Sequence, residues 1–206
     1  MKFKAILFDV DSTLTETEGI DLLAQSSPYA REVAEITERA MQGELDFDGA
    51  LRERVALLRG LSIDVIDRAI EQTRISSGAQ ETIAQLKEQG MKVGIVSGGF
   101  REIIDSVLHG WPFDLVVAHR LEINNGSLTG KVLGDIVNRE KKASVLRDFA
   151  DYSGCGLNEM IAVGDGSNDV AMVELAGLGI AYRGKPALRK VADIEIQSLK
   201  EIINLV

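Results

Sequence analysis

The sequence has 206 residues and a formal net charge of −9, and it contains no lysine- or arginine-rich block. These features argue against a nucleic-acid-binding protein, which needs a basic surface to replace the phosphate counterions. Hydrophobic residues make up 45% of the chain, which suits one globular domain with a modest insertion. Because Cys155 is the only cysteine, an intrachain disulfide and a thiolate metal cluster are both excluded.

The first predicted element is a buried strand at residues 3–8, where the apolar run FKAILF is rich in strand formers. A signal peptide needs a longer apolar stretch followed by a cleavage site, and a membrane helix needs about 20 apolar residues. This run meets neither requirement. We therefore expect a cytoplasmic protein that has no membrane partner.

Residues 15–75 have helical periodicity and hardly any strand signal. Ser27 and Pro28 are predicted to be the N-cap and the first position of a helix in this segment. A helical block that follows the first strand directly is typical of an insertion. We predict that 15–75 is a helical cap domain, inserted into an α/β domain made of 1–14 and 76–206.

Strands and helices alternate in the rest of the chain, which predicts a parallel sheet with helices on both faces. Asn125 and Gly126 separate two short alternating runs and predict a β-hairpin over 121–133. The predicted fold is therefore α/β: a doubly wound, Rossmann-like parallel sheet with a small inserted helical cap domain and an edge β-hairpin. The further predicted strands are 91–96, 114–119, 160–164, 179–182 and 193–196, and the helices are 79–90, 100–109, 139–150, 168–176, 186–192 and 198–205.

Two carboxylates follow the first predicted strand, in the sequence Asp9-Val10-Asp11-Ser12. Ligands of open α/β sheets bind beyond the carboxyl ends of the strands, and residues two apart in extended chain point the same way. Like charges at close range raise one pKa unless a cation intervenes. The pair therefore predicts a nucleophilic carboxylate beside a general acid. The alternative is that Asp11 and Ser12 only cap the next turn.

A second acidic motif, GDGSND, follows the predicted strand at 160–164. Asp165 and Asp169 are four residues apart across a glycine-rich turn, so one can reach a metal ion while the other braces it. The alternative is a helix that is N-capped after a glycine turn. Both acidic motifs end strands, and hard carboxylate ligands that share a site with phosphate are typical of Mg²⁺.

Two weaker signals indicate a phosphate site. Ser97-Gly98-Gly99 follows an apolar strand and would direct a hydroxyl and backbone N–H groups at an anion, although many βα turns contain Ser-Gly. Lys141 and Lys142 lie about 100° apart on the predicted helix, so at most one of them faces inward.

Together these motifs resemble the haloacid-dehalogenase-like superfamily and, within it, the phosphoserine phosphatase family most closely. The matching residues are DVDST at 9–13, SGG at 97–99, Lys142, and GDGSND at 164–169. Lys142 is favoured over Lys141 because its spacing to GDGSND fits the family better. The similarity extends over essentially the whole chain, including the position and helical character of the cap.

The resemblance implies a role for each of these residues. Asp9 would be the nucleophile that becomes an aspartyl-phosphate, and Asp11 the general acid/base. The Mg²⁺ cofactor would be held by Asp9, the backbone carbonyl of Asp11 and Asp165, with Asp169 in support. The phosphoryl group and the rest of the substrate site would be bound by Ser97, Gly98, Gly99, Lys142 and Asn168.

The resemblance also implies a substrate, phosphoserine, which would be hydrolysed in the last step of serine biosynthesis. Glu18 would pair with the substrate ammonium, and Arg54 would bind its carboxylate. Met41 and Phe47 match apolar residues of the cap. Glu16 is close enough in sequence to be an alternative to Glu18. Either a monomer or a homodimer is compatible with this interpretation.

Parts of the sequence are also compatible with three alternative functions. The first keeps the chemistry but changes the substrate to another small phosphate ester, or the acceptor from water to an alcohol such as homoserine. The second is a signalling receiver domain, which also phosphorylates an aspartate at a strand end; the cap, Asp11 and GDGSND argue against it. The third is a nucleotide-binding protein, but neither GxGxxG nor GxxxxGK[ST] follows any predicted strand.

Overall fold

A computed structural model describes residues 2–25, 27–42 and 44–206, with the side chain of Met41 outside the described part. The strands are β1 (Ala5–Phe8), β2 (Lys92–Phe100), β3 (Leu115–Asn124), β4 (Ser127–Leu133), β5 (Met160–Gly164), β6 (Leu178–Tyr182) and β7 (Ile194–Ile196). The α-helices are α1 (Gly19–Ala24), α2 (Ala30–Met41), α3 (Phe47–Leu57), α4 (Asp64–Gln72), α5 (Ala79–Glu88), α6 (Arg101–Val107), α7 (Arg139–Tyr152), α8 (Val170–Leu175) and α9 (Pro186–Arg189).

The described strands form one sheet in the order β4-β3-β2-β1-β5-β6-β7. All neighbours are parallel except β3 and β4. Every residue of β1 is buried, since this strand lies between β2 and β5 and is covered on both faces. The predicted doubly wound parallel sheet is confirmed.

The two sides of β1 belong to two separate hydrophobic clusters. Ile6 and Phe8 pack in the cluster that includes residues of α5, whereas Ala5 and Leu7 pack in the cluster that includes residues of α7. This is the two-residue alternation of a strand with both faces buried. Helices therefore cover the sheet on each face, and its carboxyl edge is left for ligands.

The predicted edge hairpin is also confirmed. β3 and β4 pair antiparallel with Asn124 opposite Ser127, so that only Asn125 and Gly126 form the turn. Both turn residues have positive φ, 48° and 74°. Asn-Gly is the sequence that a two-residue turn with this backbone favours, and it closes the hairpin without strain.

Helices α1–α4 lie between β1 and α5, in the segment whose sequence has helical periodicity. Their apolar residues form a third cluster, to which Leu23, Val33 and Val55 contribute. The chain enters and leaves this segment side by side, because Thr15 forms an antiparallel bridge with Ile75. Helix α2 begins at Ala30, two residues later than Ser27-Pro28 predicted.

Besides the apolar packing of the third cluster against Phe100 and Leu121, two kinds of polar contact join this helical segment to the sheet domain. On the hairpin side there are three backbone hydrogen bonds: Gly60 N–H to Leu128 O, Leu128 N–H to Leu61 O, and Ile63 N–H to Gly126 O. On the α2 side the bonds involve side chains. The Ser167 hydroxyl donates to Ala40 O at 2.9 Å, and the Lys185 ammonium lies 3.2 Å from the Glu38 carboxylate.

Several element boundaries differ from the prediction. β2 continues through Ser97-Gly98-Gly99 to Phe100 with a register shift against β3, where a turn was expected after 96. A 3-10 turn at Ser167–Asp169 precedes α8, and the last segment is 3-10 helix at Leu199–Asn204. Within the described residues, no helix has the length and apolar character that crossing a membrane requires.

Candidate active site

Asp9 and Asp165 lie side by side because they follow neighbouring parallel strands. Phe8 of β1 pairs with Val163 of β5, and the Asp9 N–H donates to Val163 O at 2.9 Å. These carboxyl ends form one wall of a pocket, with helices of the 15–75 segment opposite. The pocket is lined by Asp9, Asp11, Glu18, Ile20, Phe47, Leu51, Arg54, Gly98, Gly99 and Asn168. Its free volume is about 20 Å³, little more than one water molecule needs.

Lys142 joins two of the buried carboxylates. Its ammonium lies 2.6 Å from Asp9 Oδ1 and 2.7 Å from Asp169 Oδ1, and the lysine has no exposed surface. The neighbouring Lys141 instead points outward, with its ammonium 3.6 Å from Asp135. Of the two lysines that the sequence left open, Lys142 is therefore the one at the carboxylates.

Asp169 binds Lys142 and also holds the glycine-rich turn together. Its Oδ2 accepts hydrogen bonds from the N–H groups of Asp165 and Gly166, each at 3.1 Å. A Cβ atom at Gly164 would collide with the Asp169 carboxylate, so this position requires glycine. The turn therefore orients Asp165 through Asp169, while Asp169 itself is fully committed to neighbours.

The residues present fit a hard divalent cation. One carboxylate oxygen of each of Asp9, Asp165 and Asp169 lies within 4.8 Å of the other two. Because both Asp169 oxygens are already hydrogen-bonded, Asp9 and Asp165 are the better candidates to bind an ion. Asp165 Oδ1 is buried and has no hydrogen-bond partner among the described residues. An unsatisfied buried oxygen costs about 1–3 kcal/mol or more, and an oxygen-preferring cation would remove that cost.

The Asp11 carboxylate is fixed by two hydrogen bonds. Its Oδ1 accepts from the Gly19 N–H and its Oδ2 from the Ser97 hydroxyl, both at 2.7 Å. The Ser97 oxygen in turn accepts from the Gly99 N–H at 2.8 Å. The sequence predicted that Ser97 directs its hydroxyl at an anion; here that hydroxyl positions Asp11. A Cβ at Gly99 would collide with Asp11, which explains the second glycine.

Arg54 is buried in the helical segment, 3% exposed, and lines the pocket. Its Nη1 donates to the Thr37 hydroxyl oxygen at 2.9 Å and its Nε to Ala50 O at 3.1 Å. The Thr37 hydroxyl lies 2.7 Å from Asp21 Oδ1. Thr37 and Asp21 were missed by sequence reasoning because contacts across 16 or 17 residues leave no local pattern.

The other sequence-predicted substrate residues divide into three cases. Glu18 lines the pocket and accepts from the Ser12 hydroxyl at 2.9 Å, whereas Glu16 is exposed and lies outside the pocket. Phe47 and Asn168 line the same pocket next to Gly98, and Asn168 Oδ1 has no described partner. The Met41 side chain lies outside the described residues.

A family profile of the haloacid dehalogenase-like hydrolases matches residues 6–174. The chain belongs to this family. It is 49% identical over 193 residues to phosphoserine phosphatase SerB2 of Mycobacterium tuberculosis. The matched residues make up 94% of this chain and 47% of that protein. The chain thus spans about half the length of that relative.

Two further comparisons cover nearly whole chains. The chain is 47% identical over 191 residues to a phosphoserine phosphatase of Streptococcus thermophilus, with 93% of this chain and 89% of the relative covered. A solved structure described as a phospho-aspartyl intermediate analogue of phosphoserine phosphatase superposes with a TM-score of 0.95. That match has 41% identity and covers 100% of both chains.

Burial and mutual repulsion dominate the electrostatics of the hydrolase's site. Burial, then the Asp169 charge, raise the pKa of Asp9 well above its usual value, against the opposing effect of Lys142. Burial and the charge of Glu18 do the same for the pKa of Asp165. Burial would lower the pKa of Lys142, but the charges of Asp169 and Asp9 outweigh it and raise this pKa. Glu18 is partly exposed, but it lines the pocket. Burial, followed by the charge of Asp11, raises the pKa of Glu18 to about 7.

These shifts predict that the metal-free hydrolase becomes less stable as the pH rises. A carboxyl group whose pKa is higher in the folded state stabilises the fold fully when the pH is below its unfolded-state pKa. This stabilisation is lost as the pH rises through the folded-state pKa, which for Glu18 means between pH 4.5 and about 7. A divalent cation that binds Asp9 and Asp165 has to displace their protons, so Mg²⁺ is expected to raise Tm more at pH about 8 than at pH about 5. Thermal melts with Mg²⁺ or with EDTA measure both effects.

Asp165→Asn should abolish most of the Mg²⁺-dependent rise in Tm. Asp151→Asn is the matched control, because Asp151 is exposed on α7. A rise in Tm that is equal at both pH values would contradict the assignment of these carboxylates to the cation.

Proposed function

We propose that the chain is a Mg²⁺-dependent phosphoserine phosphatase that transfers the phosphoryl group to Asp9 and then to water. One observation carries the proposal: the Asp9 carboxylate, held by the buried Lys142, shares a pocket with the buried Arg54. The first two groups suit attack on a phosphate, and the third suits an anionic substrate that carries a carboxylate.

In the first step, the Asp9 carboxylate would attack phosphorus, and the bond from phosphorus to the substrate oxygen would break. Asp11 would donate a proton to the departing oxygen, which leaves as the serine hydroxyl. The hydrogen bonds from Gly19 and Ser97 support this role, because they hold the Asp11 carboxylate in one orientation. The Lys142 charge would offset the repulsion between the nucleophile and the phosphate.

In the second step, water would attack the phosphorus of the aspartyl-phosphate. Asp11, now ionised, would take the proton from that water, and the bond from phosphorus to the Asp9 oxygen would break. This returns both carboxyl groups to their starting states and releases phosphate. The raised pKa values of Asp9 and Asp165 support a site that needs an additional positive charge at neutral pH.

The ion would be Mg²⁺, held by Asp9, the backbone carbonyl of Asp11 and Asp165. Asp169 would support Asp165 from behind, since its own oxygens are bonded to Lys142 and to the turn. When bound, the ion would supply positive charge that neutralises the phosphate and the nucleophile. The unpartnered Asp165 oxygen supports this assignment.

The helical segment would provide specificity for phosphoserine. The proposed division is a cap domain at 15–75 inserted into a core of 1–14 and 76–206. Glu18 would pair with the ammonium, and Arg54 would bind the carboxylate in two hydrogen bonds. Phe47 and Met41 would cover the apolar part of the substrate. Relatives that are themselves phosphoserine phosphatases support this choice.

The reaction would be the last step of serine biosynthesis in the cytoplasm, and a monomer or a homodimer would carry it out. The single cysteine, which excludes an intrachain disulfide, suits a reducing compartment such as the cytoplasm.

A panel of phosphate esters tests the function. Phosphoserine, phosphothreonine, glycerol phosphate and an aryl phosphate are assayed for released phosphate with Mg²⁺ and with EDTA. Phosphoserine should give the highest kcat/KM, and EDTA should abolish turnover. Arg54→Ala should lower kcat/KM for phosphoserine by about 10- to 100-fold, the value of a charged bidentate contact, and leave the aryl phosphate nearly unchanged.

Arg52→Ala is the matched control, because Arg52 is exposed on the same helix. If Arg54→Ala lowered kcat/KM equally for phosphoserine and for the aryl phosphate, Arg54 would not determine the specificity for phosphoserine. Preferred transfer to added homoserine, or activity that persists in EDTA, would overturn the hydrolase or the metal assignment. Sustained turnover excludes a receiver domain.

A further inference from the structure

The chain has two histidines, and they differ in environment. His109 is exposed, whereas His119 on β3 is only 1% exposed. The Nδ1 atom of His119 lies 2.9 Å from Gly98 O, and its Nε2 atom lies 2.7 Å from the Val137 backbone N. Both ring nitrogens are therefore engaged by main-chain groups near the active site.

These two partners determine where the ring proton lies. A carbonyl oxygen can only accept, so Nδ1 must carry the proton that it donates to Gly98. A backbone N–H can only donate, so Nε2 must offer a lone pair to Val137. His119 is therefore neutral and in the Nδ1–H tautomer. A second proton would place two donors against each other at Val137.

The ring bridges two segments that contribute to the site. Gly98 lies where the ladder between β2 and β3 loses register, so the ring supplies a partner for its carbonyl at the irregularity. Val137 precedes Asn138, whose side chain caps α7 by accepting from the Lys141 N–H at 3.0 Å. Helix α7 carries Lys142 into the carboxylate cluster.

We propose that His119 is a positioning residue of the phosphoryl site, whose neutral ring fixes residues 97–99 relative to the start of α7. The proposal rests on the function proposed above only in that both segments must contact the phosphoryl group. It does not depend on which phosphate ester is the substrate. If residues 97–99 or the start of α7 moved by a fraction of an ångström, Lys142 would be displaced from the phosphoryl oxygens that it should contact.

The electrostatic surroundings agree with a neutral ring. Burial lowers the pKa of His119 below its ordinary value of 6.5. The hydrogen bonds with the backbone of Gly98 and Gly99 act in the opposite direction but do not overcome burial. Of the charged groups facing the ring, Lys142 lowers this pKa and Asp11 raises it.

The tautomer can be measured directly on the unmodified protein. With ¹⁵N-labelled histidine, the His119 Nδ1 should show the shift of a protonated nitrogen and Nε2 that of an unprotonated one. Both shifts should stay constant between pH about 7.5 and about 6. The Nε2–H tautomer, or a charged ring over this range, would overturn the proposal whatever the variants do.

Substitution tests the positioning role. His119→Phe keeps the ring size but removes both hydrogen bonds, and kcat should fall about 10- to 100-fold by the same factor for phosphoserine and for an aryl phosphate. KM for phosphoserine should change little, because the cap contacts are untouched. His119→Gln, which retains a donor and an acceptor, should recover part of the loss, and His109→Phe should have no effect.

A folded His119→Phe variant with unchanged kcat would overturn the positioning role. A loss confined to phosphoserine would do so too, because it would place the effect at the cap. If the ester panel shows no preference for phosphoserine but the equal loss is observed, the substrate proposal fails and His119 keeps its role. If the Phe variant does not fold, the nitrogen shifts and the Gln variant decide.

Discussion

Asp9→Asn is expected to lower kcat for phosphoserine by at least about 10⁴-fold. The amide is not a nucleophile, so the covalent route is closed, and losses of this size follow removal of a catalytic nucleophile. The amide also forfeits the ion pair with Lys142, whose ammonium lies 2.6 Å from Asp9 Oδ1. Released phosphate measures turnover. Mass spectrometry of acid-quenched protein should find one phosphoryl group on Asp9 in the unmodified protein and none in the variant.

Asp151→Asn makes the same chemical change at an exposed position of α7 and should leave kcat unchanged. Near-normal hydrolysis by Asp9→Asn would show that phosphate is transferred directly to water. Phosphorylation of another residue in that variant would identify a different nucleophile.

Lys142→Gln is expected to lower kcat/KM by about 10³-fold for every ester that is hydrolysed. Loss of the ammonium removes the charge that opposes the rise in the pKa of Asp9, and it also removes the proposed donor to the phosphoryl oxygens. The pKa of Asp9 should rise further, so the acidic limb of the pH–rate profile should move to higher pH. Steady-state rates across the pH range measure both effects.

Lys141→Gln provides a control one residue away on the same helix. Its ammonium lies 3.6 Å from Asp135 and 41% of its side chain is exposed, so kcat/KM should change less than about twofold. Thermal melts distinguish lost chemistry from lost folding, because Lys142 also bridges two buried carboxylates. Equal effects of the two substitutions would contradict the placement of Lys142.

The parts of the site that follow from sheet topology could be predicted from sequence. Asp9 and Asp165 each end an apolar strand, and the carboxyl ends of parallel strands meet at one edge, so their proximity needed no further information. The alternating strands and helices predicted the fold, and Asn125-Gly126 predicted the hairpin. The family motifs added the identity of the chemistry.

Other parts depend on contacts that no local pattern records. Helical periodicity alone did not distinguish Lys141 from Lys142, and only the family spacing favoured Lys142, since the inward side depends on how α7 packs against the sheet. The hydrogen bonds from Arg54 to Thr37 and from the Val137 N–H to His119 join residues 17 and 18 positions apart. Their partners became visible only when separate elements were packed together. β2 continues past the expected turn because its pairing with β3 shifts register between Val96 and Phe100, and such an irregularity can accommodate the two glycines.

The unequal polar attachment of α1–α4 would determine where a substrate can enter. The pocket has room for little more than a water molecule, so a phosphate ester needs a temporary displacement of these helices. A displacement at the hairpin would break the three main-chain hydrogen bonds at Gly60, Leu128 and Ile63. At α2, water can replace the partners in the Ser167–Ala40 and Lys185–Glu38 contacts, so these cost less to break. The displacement would therefore be a rotation about the hairpin, with the gap widening at α2. Incoming ester and departing products would pass the Lys185 ammonium, whose charge would attract phosphate on the way in and slow its escape.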